Sequence, residues 1–495
     1  MSHLHLELEP KFVFIAIFLS QHFMSSKLIL ATCISLLVLI GCSNETQKTE
    51  SGTYIGGQII NPTSNFLLLK KDDRLIDSIK LDQNNSFLYQ FSDPEKGLYQ
   101  VFHNEGQIIY LEPNDSLLFR VNTFEFDETL TFTGYGAVNN NLIIDLYLQN
   151  EEENNLMLQQ EIYQQDPETF TRSITKMKED REAMVSRFLE KYDVSPYFEK
   201  IVHAIVDYDF YARQEVYPMS HFGVDRIEFL ESFPKSFYSY RDEADFNDAS
   251  LLDLYSYQRF LINYFNQAAF KDYYKEEPYD PLSFTHNLHK LRIIDSKISN
   301  DSVESFLLTR TIRDYLANSN DKKGGQTLYD LYMERIASRQ DKQLIQSLYN
   351  ANKKIETGKH IPNEKLVSAN NDTLSIDQII NKPTFVFFWS SARKSHALRA
   401  QKLAKSLIQK YPEYSYIAIN VNDDFEKWQN TINRYQFDAS KQYFFKDSFD
   451  ELSQDLALNS LLKTFILDRN GIIINAHANI FSSNFENELL QGLNK

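Results

Sequence analysis

The run Phe385-Val386-Phe387-Phe388-Trp389 is unbroken apolar sequence, bounded by Lys382-Pro383 on one side and Ser390-Ser391 on the other. A short, β-branched and aromatic run closed off by turn residues reads as a core strand, and the elements on either side of it limit the sheet it can join. Helical periodicity covers 396–410, a strand 414–421, a helix Phe425 to Tyr435, a strand Tyr443 to Phe445 and a helix Phe449 to Leu456. Strands Thr464 to Leu467 and Ile472 to Asn475 are joined by Asp468-Arg469-Asn470-Gly471, and a last helix spans Asn484 to Leu493. Upstream, Lys359-His360-Ile361-Pro362 leads to the turn Asn370-Asn371-Asp372 before Leu374 and Ile376. Strands and helices alternate first and an Asn-Gly hairpin precedes the final helix, so 359–495 is expected to be an α/β unit.

The phrases Phe387-Phe388-Trp389-Ser390-Ser391 and Thr464-Phe465-Ile466-Leu467-Asp468-Arg469-Asn470-Gly471, taken with that order, resemble the thioredoxin fold of TlpA-like envelope disulfide reductases. The resemblance is confined to 359–495. It implies a thioredoxin-like domain whose chemistry uses a low-pKa cysteine at a helix N-terminus, a second cysteine one turn on, and a cis-proline packed against them. The helix dipole and free N–H groups would stabilise the thiolate. In this chain Ala392 takes the family's tryptophan position, Arg393 and His396 take the two cysteine positions, and Leu462 takes the proline position, three residues before Phe465. Disulfide exchange requires a sulfur nucleophile, which Arg and His do not supply. Dithiol redox catalysis is therefore not expected. A non-proline cis bond costs about 2.5–4 kcal/mol, so replacement of the proline should also alter the substrate-docking edge. What remains at the helix start is cationic. Arg393 and Lys394, with backbone N–H groups, could hold a carboxylate or phosphate; the other reading is a solvated loop without a role.

Both cysteines of the 495 residues, Cys33 and Cys42, lie near the N-terminus. From Met24 the chain reads Met-Ser-Ser-Lys27, an apolar run Leu28 to Ile40, and then Gly41-Cys42. This pattern resembles a bacterial lipoprotein signal with a basic start, an apolar stretch and a small residue before the cleaved bond. The run is shorter than the roughly 20 residues of a membrane-spanning helix. Residues 1–41 are thus expected to be a signal segment with Met24 as the true start, Cys42 the lipid-bearing residue, and 42–51 a polar tether. Lipid on Cys42 would anchor the body to a membrane surface. Ser43 after the cysteine resembles sorting to the outer membrane, so the expected place is the periplasmic face of that membrane. Cleavage before Cys42 would leave no free thiol in the body.

The formal net charge is −17. It stays with the body, because Glu7 and Glu9 balance Lys11 and Lys27 in the signal segment. An acidic chain without a basic stripe argues against nucleic-acid partners.

Residues 52–135 read as a small β-sandwich of short strands: 53–60, 66–70, 76–81, 86–91, 97–102, 108–111, 116–121 and 129–133. Asn61-Pro62, Asp82-Gln83-Asn84-Asn85, Asp93-Pro94 and Pro113-Asn114-Asp115 supply the turn chemistry between them. The phrases Asn85-Ser86-Phe87, Gly97-Leu98-Tyr99 and Leu111-Glu112-Pro113-Asn114-Asp115 resemble a β-domain that precedes thioredoxin-like domains in envelope lipoproteins. Residues 136–358 change to helical period. Asp166-Pro167 and Ser195-Pro196 open two helices, further ones run near 250–270, 301–318, 326–338 and 341–356, and Gly324-Gly325 and Gly358 punctuate them. The aromatics Tyr208, Phe210, Tyr211, Tyr255, Tyr257, Phe260, Tyr264 and Phe265 are read as core packing, with a peptide groove as the sharper alternative.

Other constellations are weak. His286 and His289 share a helical face but lack further ligands at metal spacing. Asp423 and Asp424 are expected to cap the helix after them. No metal and no cofactor is implied. The expected product is multidomain α+β: an N-terminal β-sandwich, a helical middle and a C-terminal thioredoxin-like α/β domain. Its expected role is binding or scaffolding of an envelope protein or peptide. The alternative readings are a thiol–disulfide oxidoreductase by descent, serving redox homeostasis, and an anion- or peptide-binding envelope protein.

Overall fold

The computed structural model describes residues 52–71, 74–103, 105–123, 129–223, 233–421, 423–446 and 449–493. The expectations about Met24, Cys33, Cys42 and the tether 42–51 fall outside the described residues. No helix among the described residues is long and apolar enough to cross a membrane. The architecture is mixed helix and sheet, with three sheets among the described residues.

Strands β1 (Thr53–Ile60), β2 (Phe66–Lys71), β3 (Arg74–Lys80), β4 (Ser86–Phe91), β5 (Gly97–His103), β6 (Glu105–Leu111), β7 (Ser116–Asn122) and β8 (Thr131–Tyr135) form two four-stranded sheets. Their orders are β4-β1-β7-β8 and β3-β2-β5-β6. Alternating side chains from both, among them Ile55, Phe87 and Phe119 from one sheet and Leu67, Val101 and Ile109 from the other, fill one core. The turn residues Asn61, Asn85 and Asn114 take positive φ, the left-handed region an Asn tolerates better than most residues.

Helix α1 (Ala137–Gln159) closes one side of this pair of sheets. Asn140 accepts from the Tyr110 N–H and donates to its carbonyl, both at 2.8 Å, while Asn141 does the same for Phe132 at 3.0 Å. Two adjacent side-chain amides thus stand in for a neighbouring strand on β6 and on β8, and the backbone groups they meet do not go unpaired.

Helices α2 (Pro167–Lys191), α3 (Pro196–Phe222), α4 (Tyr255–Tyr273), α5 (Phe284–Lys297), α6 (Asp301–Asn318), α7 (Lys322–Arg335) and α8 (Arg339–Lys354) come next. Asp166 and Ser195 cap α2 and α3 ahead of a first-turn proline. The aromatics Tyr208, Tyr211, Tyr257, Phe260 and Phe265 are buried core, with Phe210 and Tyr264 packed at its margin. Tyr255 departs from that expectation at 73% exposed. Gly324 and Gly325 do not separate helices; they sit inside the first turn of α7, where Asp321 caps the Gly324 N–H. A Cβ at Gly324 would lie 2.5 Å from the Tyr315 hydroxyl, so close approach rather than chain reversal explains the residue.

The last sheet has seven strands: β9 (Lys365–Ser368), β10 (Thr373–Ser375), β11 (Thr384–Trp389), β12 (Ser415–Asn420), β13 (Gln442–Phe445), β14 (Lys463–Leu467) and β15 (Ile473–Asn479). The order is β10-β9-β13-β12-β11-β14-β15. Strands β13, β12 and β11 run parallel, and β14 and β9 flank them antiparallel. Helices α9 (Ile376–Ile379) and α12 (Phe449–Leu456) cover one face; α10 (Lys394–Lys410), α11 (Phe425–Tyr435) and α13 (Phe485–Leu493) cover the other. Both faces of β11 are therefore buried, which is why its sequence shows no alternation. Ala351 of α8 and Ile355 just after its end lie in the core under this sheet, while Ile345 and Tyr349 of α8 lie in the helical core. One helix thus belongs to both.

Candidate functional site

Strand β11 ends at Trp389, and after Ser390 the chain turns through Ser391–Arg393 before α10 begins at Lys394. The turn is held from beneath by Asp423, whose side chain is fully buried. Its carboxylate accepts the Ser391 N–H at 2.6 Å and the Asn420 Nδ2 at 2.7 Å, and Lys427 Nζ lies 3.6 Å away. Ser390 Oγ accepts the Ala392 N–H at 3.3 Å, and the Ser391 and Thr431 hydroxyls meet at 2.9 Å. A buried carboxylate is tolerated here because charge-assisted bonds from an N–H and an amide replace its water. The expectation that both Asp423 and Asp424 cap the following helix is corrected in half. Asp424 does so, accepting the Lys427 N–H at 2.7 Å, whereas Asp423 reaches across to the turn. The two residues are adjacent but point to opposite tasks, which only the loop path decides.

Ala392, Arg393 and Lys394 are exposed. Arg393 occupies the cap position of α10 without a side-chain capping bond, and Lys394 Nζ sits 5.7 Å above the Tyr435 ring. His396, one turn along from Arg393, is half-buried with its ring 5.2 Å from Phe481 in an edge contact. Neither ring nitrogen makes a hydrogen bond of normal geometry. Desolvation lowers its pKa below the usual histidine value, against a smaller opposite pull from the Leu461 backbone. Arg399, the guanidinium 5.0 Å from the Phe481 ring, adds positive charge nearby. Leu462 is 46% exposed beside that backbone. Arg393 and the Leu461 backbone both act on the His396 ring, and with Leu462 the group presents cations, an imidazole and an apolar side chain.

The next residue was missed at the sequence level. Lys463 is buried on β14, and its Nζ donates to the Ala457 carbonyl at 3.0 Å, just beyond the end of α12. Desolvation pushes its pKa down to about 7. The signal was present in the alternation Lys463, Phe465, Leu467, which places a lysine on an inward-facing position. His477 on β15 is near enough to feel that charge; burial first, then Lys463, takes it to about 3, and its Nδ1 lies 2.8 Å from the Ala317 carbonyl of α6.

His286 and His289 part company. His286 is buried, 3.1 Å from the Tyr273 hydroxyl, with burial taking its pKa to about 3. His289 pairs with Asp272 at 2.5 Å. Among the described residues no three His, Cys, Asp or Glu side chains converge as a metal site would require. A buried ion cluster in the helical region also escaped sequence reading. Arg181 contacts Asp209 at 2.7 Å and Glu153 at 3.3 Å, and Arg213 contacts Asp209 at 2.9 Å and Glu153 at 2.8 Å. Asp209 and Arg213 are four apart on α3, but Glu153 and Arg181 come from α1 and α2, so no local pattern brings the four together.

No family model matches the chain, and no curated protein is similar to it. Several solved structures are. A thioredoxin-like protein from Bacteroides caccae is 12% identical, covering 56% of this chain and 92% of its own, with a TM-score of 0.29. The thioredoxin domain of a thiol-disulfide oxidoreductase from Bacteroides vulgatus is 14% identical over 27% of this chain and 96% of its own, TM-score 0.25. A thiol:disulfide interchange protein from a Bacteroides species is 14% identical over 29% of this chain and 93% of its own, TM-score 0.24.

Proposed function

We propose that this is a lipid-anchored cell-envelope protein whose thioredoxin-like C-terminal unit has lost redox chemistry and acts by binding or scaffolding a protein or peptide. The observation that carries the reading is the start of α10. The turn after β11 is secured by the Asp423 carboxylate, the two positions where the resembled family has cysteines are Arg393 and His396, and no cysteine lies beyond Cys42. The parallel β13-β12-β11 set with antiparallel β14 and β15 beside it supports descent from that fold. Thiol–disulfide exchange would need sulfur from another chain, because a thiolate is both nucleophile and leaving group. Anion binding by Arg393 and Lys394 is the weaker alternative, since the Ser391 and Ala392 N–H groups are already taken by Asp423 and Ser390. The anchor and the outer-membrane location rest on the sequence around Cys42.

Insulin-disulfide reduction by the purified protein tests the reading, with a cysteine-containing thioredoxin domain as positive control. The expected rate equals that of buffer. Turnover that persists after repurification, and is lost when Arg393 and His396 are substituted, overturns it.

A further inference from the structure

We infer that the open edge of β4 is a self-association surface at which a second copy of this chain adds its own β4, antiparallel, to make one continuous sheet. Four neighbouring edges are closed or blunted. Asn140 and Asn141 occupy β6 and β8. Residues 358–361 bond to 471–473 at the start of β15. Strand β3 carries Arg74, Asp77 and Lys80, charges of the kind that discourage edge pairing. Strand β4 has neither protection. Among the described residues β1 is its one strand partner, and Ser86-Phe87-Leu88-Tyr89-Gln90-Phe91 contains no charge in a chain of net −17.

The pairing with β1 says which backbone groups face outward. Ile59 N–H donates to the Asn85 carbonyl at 2.9 Å, and antiparallel bonds alternate from there, so Ser86, Leu88 and Gln90 turn their N–H and C=O groups away from β1. Those of Ser86 are used by Asp82, at 2.8 Å each. Leu88 and Gln90 are left. A two-fold axis at Tyr89 sets Leu88 of each copy opposite Gln90 of the other, so those residues exchange backbone bonds while both Ser86–Asp82 turns stay intact. The same register places Phe87 opposite Phe91 and Tyr89 opposite Tyr89, with no charge facing a charge. Leu88, 69% exposed in one copy, is covered by Gln90 of the second copy and lies diagonal to that copy's Leu88. Main-chain bonds supply affinity in strand addition and side-chain match supplies register.

The test is the molar mass of the full chain in detergent, by light scattering across the micromolar range, for the native protein and for Leu88→Lys and Gln90→Pro. The native chain should be a dimer. Leu88→Lys sets like charges across the axis, and Gln90→Pro removes an outward N–H, so each should weaken association roughly tenfold or more with thermal unfolding unchanged. If Gln90→Pro fails to fold, Leu88→Lys alone decides. A native chain that is monomeric throughout, or a dimer undiminished by Leu88→Lys, overturns the inference.

Discussion

Replacing Lys463 by Met should stabilise the protein, and the size of the effect is set by where the ammonium sits. Lys463 is 5% exposed, and its pKa falls from 10.5 to about 7. Each pH unit of such a difference is worth about 1.4 kcal/mol, so keeping this side chain folded costs about 4 kcal/mol at neutral pH. Met keeps the length of the stem but forfeits the bond to the Ala457 carbonyl, a loss of about 1 kcal/mol, and it leaves that carbonyl to find water. A net gain of about 2–3 kcal/mol is expected. The pH dependence is the sharper signature. Between pH 7 and 10.5 the unfolded lysine holds a proton that the folded one has released, so the native protein gains stability as pH rises through that window. Below 7 the penalty is constant. Other groups titrate in the same range, so the quantity to track is the difference between the two proteins. Urea unfolding at about pH 6, 8 and 10 should show the advantage of Lys463→Met largest at the lowest pH and fading toward the highest. An equal pH slope in both proteins, or a variant less stable than the native chain at pH 7, would refute the argument that the lysine is buried without adequate compensation.

Asp209→Ala should cost about 3–5 kcal/mol in urea unfolding, because Arg181 and Arg213 would keep their burial and lose a counter-charge. Burial alone would raise the Asp209 carboxyl, but Arg213 and Arg181 outweigh it and hold it below the usual range; its stabilisation should therefore be present above about pH 4 and fade as pH falls further. Asn140→Ala leaves the Tyr110 N–H and C=O unpaired at about 1–3 kcal/mol each, measurable as a lower thermal midpoint. In Asp423→Ala the Ser391 N–H loses its acceptor, and amide hydrogen exchange at 390–397 should quicken while that of β11 stays slow. Introducing Arg393→Cys together with His396→Cys should yield a thiol at the start of α10 that titrates below the free value of about 8.5, since the helix terminus and Lys394 favour the thiolate; alkylation rate against pH reads it directly.

Most elements were legible from periodicity. Strands 53–60, 86–91 and 384–389 and the helix 301–318 fall where the residue pattern places them. The ends of others moved: the helix expected over 326–338 is Lys322–Arg335, because Asp321 caps a turn that begins at two glycines. The short pair β9 and β10 was seen as no more than a turn before Leu374, since strands of that length carry too few residues for alternation to register. At the candidate site the sequence showed which residues stand at the start of α10, and it misassigned Asp423, which is bound to a turn 32 residues away in the chain.

The division has a physical cause. Period, caps and turns depend on neighbours within a few residues, so the chain alone shows most of its strands and helices, and shows that no cysteine follows Cys42. Pairing between distant residues depends on how those elements pack. Only the tertiary structure decided that Asn140 and Asn141 replace a strand on two sheet edges, that α8 serves two cores, and that Lys463 points inward to the Ala457 carbonyl. Each of these satisfies or strands a polar group that no local rule could have seen buried.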